Sequence, residues 1–316
     1  MEAASTAAAA SGRPEAPSLR AARRRYGELV IRAFLVLAAL ISLLTTTGIV
    51  YALLKETVVF FGDVGVRDYL FGTKWSPLFE PGSFGVLPLI AGTFATTAIA
   101  LVVAIPLGLG AAVYLSEYAR PRVRKTLKPI LELLAGIPTI VFGYFALTFF
   151  TPEILRGFFN LHVSIFNALA AGIIIGFLII PIVASISEDS MRSVPQALRE
   201  GAFGLGASKL QVTVRVVFPA ALSGIVASVV LAMSRAVGET MVVLIAGGQQ
   251  PQWGVDVGKS METLTAFIAA TAKGDAPTGS IEYKTLFAVG TTLFVITLVI
   301  NMISIRFVRK YRQVYE

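Results

Sequence analysis

Cysteine is absent from this 316-residue chain, and histidine occurs once, at His162. The first absence excludes disulfides, iron–sulfur clusters and thiolate zinc sites. The second leaves His162 with no neighbouring ligand or base, so neither a metal centre nor a catalytic residue is expected. Charge is scarce as well. Asp, Glu, Lys and Arg make up 15% of the chain, where a soluble globular domain carries about 25%. The shortage is concentrated in six stretches without a single charge, at 33–54, 81–116, 133–152, 157–187, 216–234 and 285–305, which run from 19 to 36 residues. A helix needs about 20 apolar residues to cross the hydrocarbon core of a bilayer. The expected fold is all-α, a polytopic membrane helix bundle with six transmembrane helices.

The charge that is present carries the topology. With spans placed at 29–54, 86–115, 129–151, 163–187, 220–246 and 285–307, the connections alternate between two sides. One side (1–32, 116–128, 188–218, 306–316) holds 19 Lys and Arg, and the other (55–84, 152–162, 247–284) holds 7. Excess Lys and Arg mark the cytoplasmic side. Both termini are therefore expected inside, in a multi-pass protein of the cytoplasmic membrane. The net charge of +8 gathers in clusters at membrane ends, Arg23-Arg24-Arg25, Arg120 to Lys128 and Arg306 to Arg312. These orient the chain and meet anionic membrane lipid; no nucleic-acid partner is expected.

The first apolar run exceeds the roughly 7–15 residues of a secretory signal and reads as a retained span. The chain then divides into a disordered cytoplasmic tail (1–28), a first transmembrane helix with an external loop (29–85), a main transmembrane domain (86–310) and a short cytoplasmic tail (311–316). The external loop is aromatic, with Phe60, Phe61, Tyr69, Phe71, Trp75 and Phe79. These suit an interfacial belt or a docking surface. Pro88, Pro106, Pro138 and Pro181 punctuate the spans, and Gly172 and Gly176 stand at small-xxx-small spacing. Close bundle packing and irregular backbone beside a pathway both fit.

Three ionisable groups fall inside the spans. Glu132 lies about one turn into the third, near enough to the interface to be solvated. Arg235 and Glu239 lie deep in the fifth, four residues apart on one helix face, where a central charge costs about 2.5–3.5 kcal/mol on the permissive scale. They form either a structural ion pair or an anion site, since a guanidinium gives planar, bidentate recognition of phosphate oxygens. Protonated phosphate could donate to Glu239, whereas sulfate could not.

The cytoplasmic loop 188–218 holds Glu200-Gly201-Ala202, then Gly206, then Val216, Phe218 and Pro219. Leu198, Ala202 and Leu205 recur at helical spacing and offer an apolar face to a groove on a partner. Arg199 and Glu200 stand at its rim, and Gly204 and Gly206 permit a sharp turn. A plain amphipathic interfacial helix is the alternative. The segment resembles the EAA loop of ABC importer permeases: E-A-A, three residues, Gly, nine residues, then I-x-L-P. The spacing matches throughout, with Gly201, Val216 and Phe218 as small or apolar replacements. No ATP site is evident in the chain itself. In the nearest phosphate-loop lookalike, Gly201 to Gly206, Ala207 stands where Lys is required.

Ser234-Arg235-Ala236-Val237-Gly238-Glu239-Thr240-Met241 resembles the R-A-x-G-E-T segment of phosphate ABC transporter permeases. Further matches are Phe84-Gly85-Val86-Leu87-Pro88, Pro106-Leu107-Gly108 to Tyr118, and Leu134-Ala135-Gly136-Ile137-Pro138. Trp75-Ser76-Pro77 and Phe287-Ala288-Val289-Gly290 look more like the PstC branch than the PstA branch. The resemblance runs from about residue 55 to the C-terminus. It implies a type I importer of the MetI-like permease fold, moving inorganic phosphate. It implies Arg235, Glu239 and Thr240 as substrate-binding residues, and Arg199, Glu200, Gly201, Ala202, Leu205 and Gly206 as the coupling loop. The implied partners are a homologous PstA-like permease, a PstB-like ATPase dimer that binds ATP and Mg, and an extracytoplasmic PstS-like phosphate-binding protein. No cofactor is expected in this chain, and no chemistry on the substrate. Sulfate or molybdate import, and an ion-coupled secondary transporter using Glu132 or Glu239, stand as rivals.

Overall fold

The computed structural model describes residues 26–311 except 80, 255 and 275–276, with side chains described between 27 and 306. The basic triplet 23–25, most of the N-terminal tail and residues 312–316 lie outside the described residues. The chain divides into two compact units, Met1–Tyr51 and Ala52–Glu316. The described part of the first is the start of α1 (Tyr26–Asp63). Its Leu, Ile, Val and Phe side chains point outward on every face, as suits a helix with apolar surroundings rather than an amphipathic one.

The second unit is built around α6 (Ala168–Arg192). Of its apolar stretch 61% is buried within the chain, against 28% for α3 (Leu87–Val113) and 11% for the last helix, Ile281–Tyr311. The α3–α6 contact depends on glycine. A Cβ on Gly172 would lie 2.7 Å from the Ile99 Cβ, one on Gly176 2.8 Å from that of Val103, and one on Gly108 2.7 Å from that of Val183. The small-xxx-small pair therefore serves close helix packing.

Among the described residues, four helices are long and apolar enough to cross a membrane unaided, and two bent pairs bring the number to six if each counts as one span. The structure thus corrects two of the expected spans. In place of a straight span at 129–151, α4 (Pro121–Ala135) and α5 (Thr139–Phe145), the latter continued as a π-helix to Phe158, meet at 85°. Pro138 keeps the residue before it out of the helical region, and Gly136 adds a weak point. In place of 220–246, the segment Lys209–Ala220 meets a helix at Leu222–Val237 at 70°, beside Pro219. Beyond α6 the helices are therefore α7 (Gln196–Gly204), α8 (Lys209–Val212), α9 (Phe218–Ala220), α10 (Leu222–Val237), α11 (Leu264–Ala272) and α12 (Ile281–Tyr311).

The connection expected at 247–284 contains α11, whose Leu264, Ala266 and Phe267 are buried. The loop after α1 is also more ordered than an interfacial belt requires. Helix α2 (Val66–Phe71) and a two-stranded hairpin, β1 (Trp75–Ser76) against β2 (Ser83–Phe84), close it. Phe60, Tyr69 and Trp75 are buried in an edge-to-face aromatic cluster that reaches Phe267, whereas Phe71 and Phe79 remain exposed. The Tyr69 hydroxyl hydrogen-bonds Thr292 at 2.8 Å, and burial pushes its pKa well above the ordinary tyrosine value.

Candidate functional site

Helix α10 starts at Leu222 after the bend, and Arg235 stands 13 residues on, about 20 Å along the axis at 1.5 Å per residue. The helix stops two residues later. Gly238 is a poor helix former, and the chain turns there before a second short helical stretch that includes the π-helical turn Val243–Gly247. The two charges flank this break, whereas a continuous span had been expected to carry both.

Glu239 is 2% exposed and fully engaged. One carboxylate oxygen, Oε2, accepts from Arg235 Nη1 at 2.7 Å. The other, Oε1, accepts from the backbone N–H groups of Met241 at 3.1 Å and Val242 at 3.4 Å, so the carboxylate caps the first turn of the helical stretch that follows. Its own carbonyl accepts from Thr265 Oγ1 of α11 at 2.7 Å. The structure therefore holds Glu239 from three sides, and neither oxygen is open to a protonated phosphate oxygen. Arg235 differs. Its side chain is 41% exposed, and its remaining nitrogens have no partner among the described residues. Thr240 donates to the Gly238 carbonyl at 3.2 Å and is half-buried. An arginine fixed at one nitrogen and open along its other edge is suited to bidentate contact with an oxyanion.

The 196–212 loop is a second candidate face. α7 ends at Gly204, Gly206 takes a left-handed conformation (φ +79°), and α8 begins with a capping box between Ser208 and Gln211. The apolar face expected from Leu198, Ala202 and Leu205 is divided. Ala202 packs inward against a cluster containing Met191 and Val212, while Leu205 is 91% exposed beside exposed Phe203 and Leu210. Glu200 and Gly201 are exposed. Arg199 is not at the rim; it turns inward to Glu117, in the π-helical turn Tyr114–Tyr118 that continues α3.

Three acidic residues were not singled out in the sequence. Glu188, read as the start of the loop, lies within α6 and is fully buried. Arg124 Nε and Lys128 Nζ each approach it to 2.8 Å, and Arg192 to 3.8 Å. The signal was available: the acidic pair Glu188-Asp189 ends a charge-free run, and the basic stretch 120–128 can supply counter-charges. Glu117, the partner of Arg199, carries the same signal, since it ends the charge-free run 81–116 just ahead of that basic stretch. Glu262 lies buried just before α11 with no side-chain partner among the described residues; sequence gave no reason to expect burial there. Glu132 lies within α4, which is amphipathic and has no buried residue.

Residues 104–313 match the family described as the binding-protein-dependent transport system inner membrane component. Among curated relatives, the chain is 33% identical to the "Probable ABC transporter permease protein YqgH" of Bacillus subtilis, over 92% of this chain and 94% of that one. It is also 33% identical to the "Phosphate transport system permease protein PstC" of Mesorhizobium japonicum, over 91% and 94% respectively. Among solved structures, a bacterial alginate ABC transporter in complex with a pentasaccharide-bound periplasmic protein aligns with a TM-score of 0.62 at 15% identity, over 89% of this chain and 96% of that one. The last likeness concerns the fold alone.

Proposed function

Because the chain belongs to the family of binding-protein-dependent transport system inner membrane components, we propose that it is the PstC-type permease subunit of an ATP-driven importer of inorganic phosphate. The observation that carries the substrate is Arg235, a guanidinium held at one nitrogen by buried Glu239 and open along its other edge at a break in a membrane helix. Phosphate contacts fall to Arg235, with Thr240 adjacent, and Glu239 positions the guanidinium.

In this reading both termini and the 196–212 loop face the cytoplasm, and the aromatic hairpin and α11 face outward. Exposed Leu205, Phe203 and Leu210 enter a groove on a PstB-like ATPase dimer, which binds ATP and Mg and performs the hydrolysis; this chain performs no chemistry. A homologous PstA-like permease completes the pathway, and a PstS-like protein delivers the anion. ATP binding by the partner shifts an equilibrium between inward-open and outward-open states, and the motion passes from α7 through the bend at Pro219 into α10.

The test is uptake by the reconstituted four-component complex with labelled phosphate against excess sulfate, arsenate and molybdate. Competition by arsenate alone supports the reading. Competition by sulfate or molybdate as strong as by arsenate contradicts it.

A further inference from the structure

A cavity of about 520 Å³ opens between the Trp75–Phe79 segment, Gln249 and Pro251, α11 and the start of α12. Among the described residues lining it, the ionisable ones are both acidic, Glu262 and Glu282, and none is basic. Its walls include Trp75, Phe79 and Phe267. Glu262 is 5% exposed, yet among the described residues no hydrogen bond or ion pair reaches its side chain. Buried carboxylates are ordinarily paired, because an isolated charge taken out of water is costly. Here no counter-charge is supplied by the described residues.

The chemistry of the walls defines what would supply it. A phosphate would face the Glu282 carboxylate and find no basic side chain among the described lining residues, so it is excluded. A guanidinium would pair in planar fashion with Glu262 and lie against aromatic faces, gaining from both; an ammonium lacks the flat, weakly hydrated group that such a slot favours. The cavity lies before the start of α3 and beyond the end of α10, whereas the 196–212 loop touches Glu117, just past the far end of α3, and precedes α10, so the cavity sits at the end of the bundle opposite that loop. In a binding-protein-dependent system that is the end at which a soluble partner arrives.

We propose that this cavity is a socket for an arginine side chain of the extracytoplasmic binding protein, with Glu262 as its counter-charge. The proposal rests on the importer reading for its orientation. Burial pushes the Glu262 carboxyl up to about 8, so the empty socket holds a proton that an arriving guanidinium displaces. The neutral empty site avoids an unpaired charge, and the filled one gains a desolvated ion pair.

The experiment uses the assembled complex in lipid nanodiscs and the purified cognate binding protein. Glu262→Gln keeps shape and removes the ionised state. Binding of the protein should weaken by at least about 30-fold, the scale expected when one partner of a buried charge pair is lost. Subunit stoichiometry and basal ATPase activity should stay at wild-type values. Scanning surface arginines of the binding protein should identify one whose loss weakens binding to the wild-type complex but not to the Glu262→Gln complex. A dissociation constant for Glu262→Gln within twofold of wild type overturns the proposal. So does loss of the second permease from the Glu262→Gln complex, which would give the socket to that subunit. The phosphate reading fails separately, on the competition assay, whatever these constants are.

Discussion

Arg199 of the loop helix α7 donates through Nη1 to both carboxylate oxygens of Glu117, at 2.8 and 3.0 Å, and through Nη2 to the Met191 carbonyl at 2.6 Å. Both side chains are nearly enclosed, at 12% and 7% exposure. The helix proposed to meet the ATPase is thereby fastened to the π-helical turn that continues α3 and to the end of α6 together. Removing one partner strands the other's charge, at a cost of about 3–5 kcal/mol for a buried pair. Arg199→Ala is expected to lower the thermal stability of the purified complex and to cut binding-protein-stimulated ATP hydrolysis by at least about tenfold. Arg199→Met combined with Glu117→Leu should recover most of the stability and little of the stimulation, because an apolar pair fills the space without fixing the helix. Differential scanning fluorimetry and stimulated ATPase rates measure the two effects.

The α3–α6 contact makes a second prediction. Gly172→Ala would place a Cβ 2.7 Å from the Ile99 Cβ and 3.1 Å from the Thr96 carbonyl. Overpacking of this kind typically costs about 1–3 kcal/mol. Nothing lies within 4 Å of the corresponding position at Gly110, so Gly110→Ala should be neutral or slightly stabilising through helix propensity. Melting of the two variants in the same detergent compares them directly.

Glu262 supplies a pH dependence. Its folded-state pKa is raised by burial to about 8, while in the unfolded chain it titrates near about 4.3. Between these values the folded state holds a proton that the unfolded state releases. Stability is therefore greatest at the acidic end and falls as pH rises through the window, by up to about 1.4 kcal/mol per unit from this one group, and flattens above pH 8. Glu262→Gln should remove that component. The difference in melting temperature between wild type and variant, followed from pH 5 to 9 without the binding protein, should change steadily up to about pH 8. A constant difference would contradict the assignment.

Much of this architecture was legible because lipid imposes a simple rule on sequence. Charge-free runs located the long helices, and α1, α3, α6 and α12 lie close to the expected positions. The breaks were not legible. Both arms of the α4–α5 bend border apolar sequence, so Gly136 and Pro138 looked like ordinary punctuation until the 85° angle was seen. α11 was missed because it has 9 residues, far fewer than a spanning helix requires, and Glu262 stands just ahead of it. At the candidate site the sequence identified Arg235 and Glu239 as a pair that needs compensation. It could not reveal that the helix ends between them, or that the N–H groups of Met241 and Val242 take the second carboxylate oxygen. Arg199 looked like a surface charge because its partner, Glu117, lies 82 residues earlier, and only tertiary structure brings them together.

The pairing of Arg235 with Glu239 makes the sharpest distinction between holding and binding. Glu239→Gln keeps the cap on the Met241 N–H but loses the charge that anchors the guanidinium. Phosphate uptake should fall by about 10–100-fold, with assembly intact. Arg235→Lys, which keeps the charge but loses the planar fork, should be impaired nearly as much as the alanine variant.

The most direct measurement is labelled phosphate uptake by proteoliposomes carrying the complete complex with Arg235→Ala, alongside its subunit stoichiometry and its basal ATPase rate. The account predicts a fully assembled complex with normal basal hydrolysis whose phosphate uptake is lost by at least about 100-fold. An assembled Arg235→Ala complex that imports phosphate at the wild-type rate would contradict it.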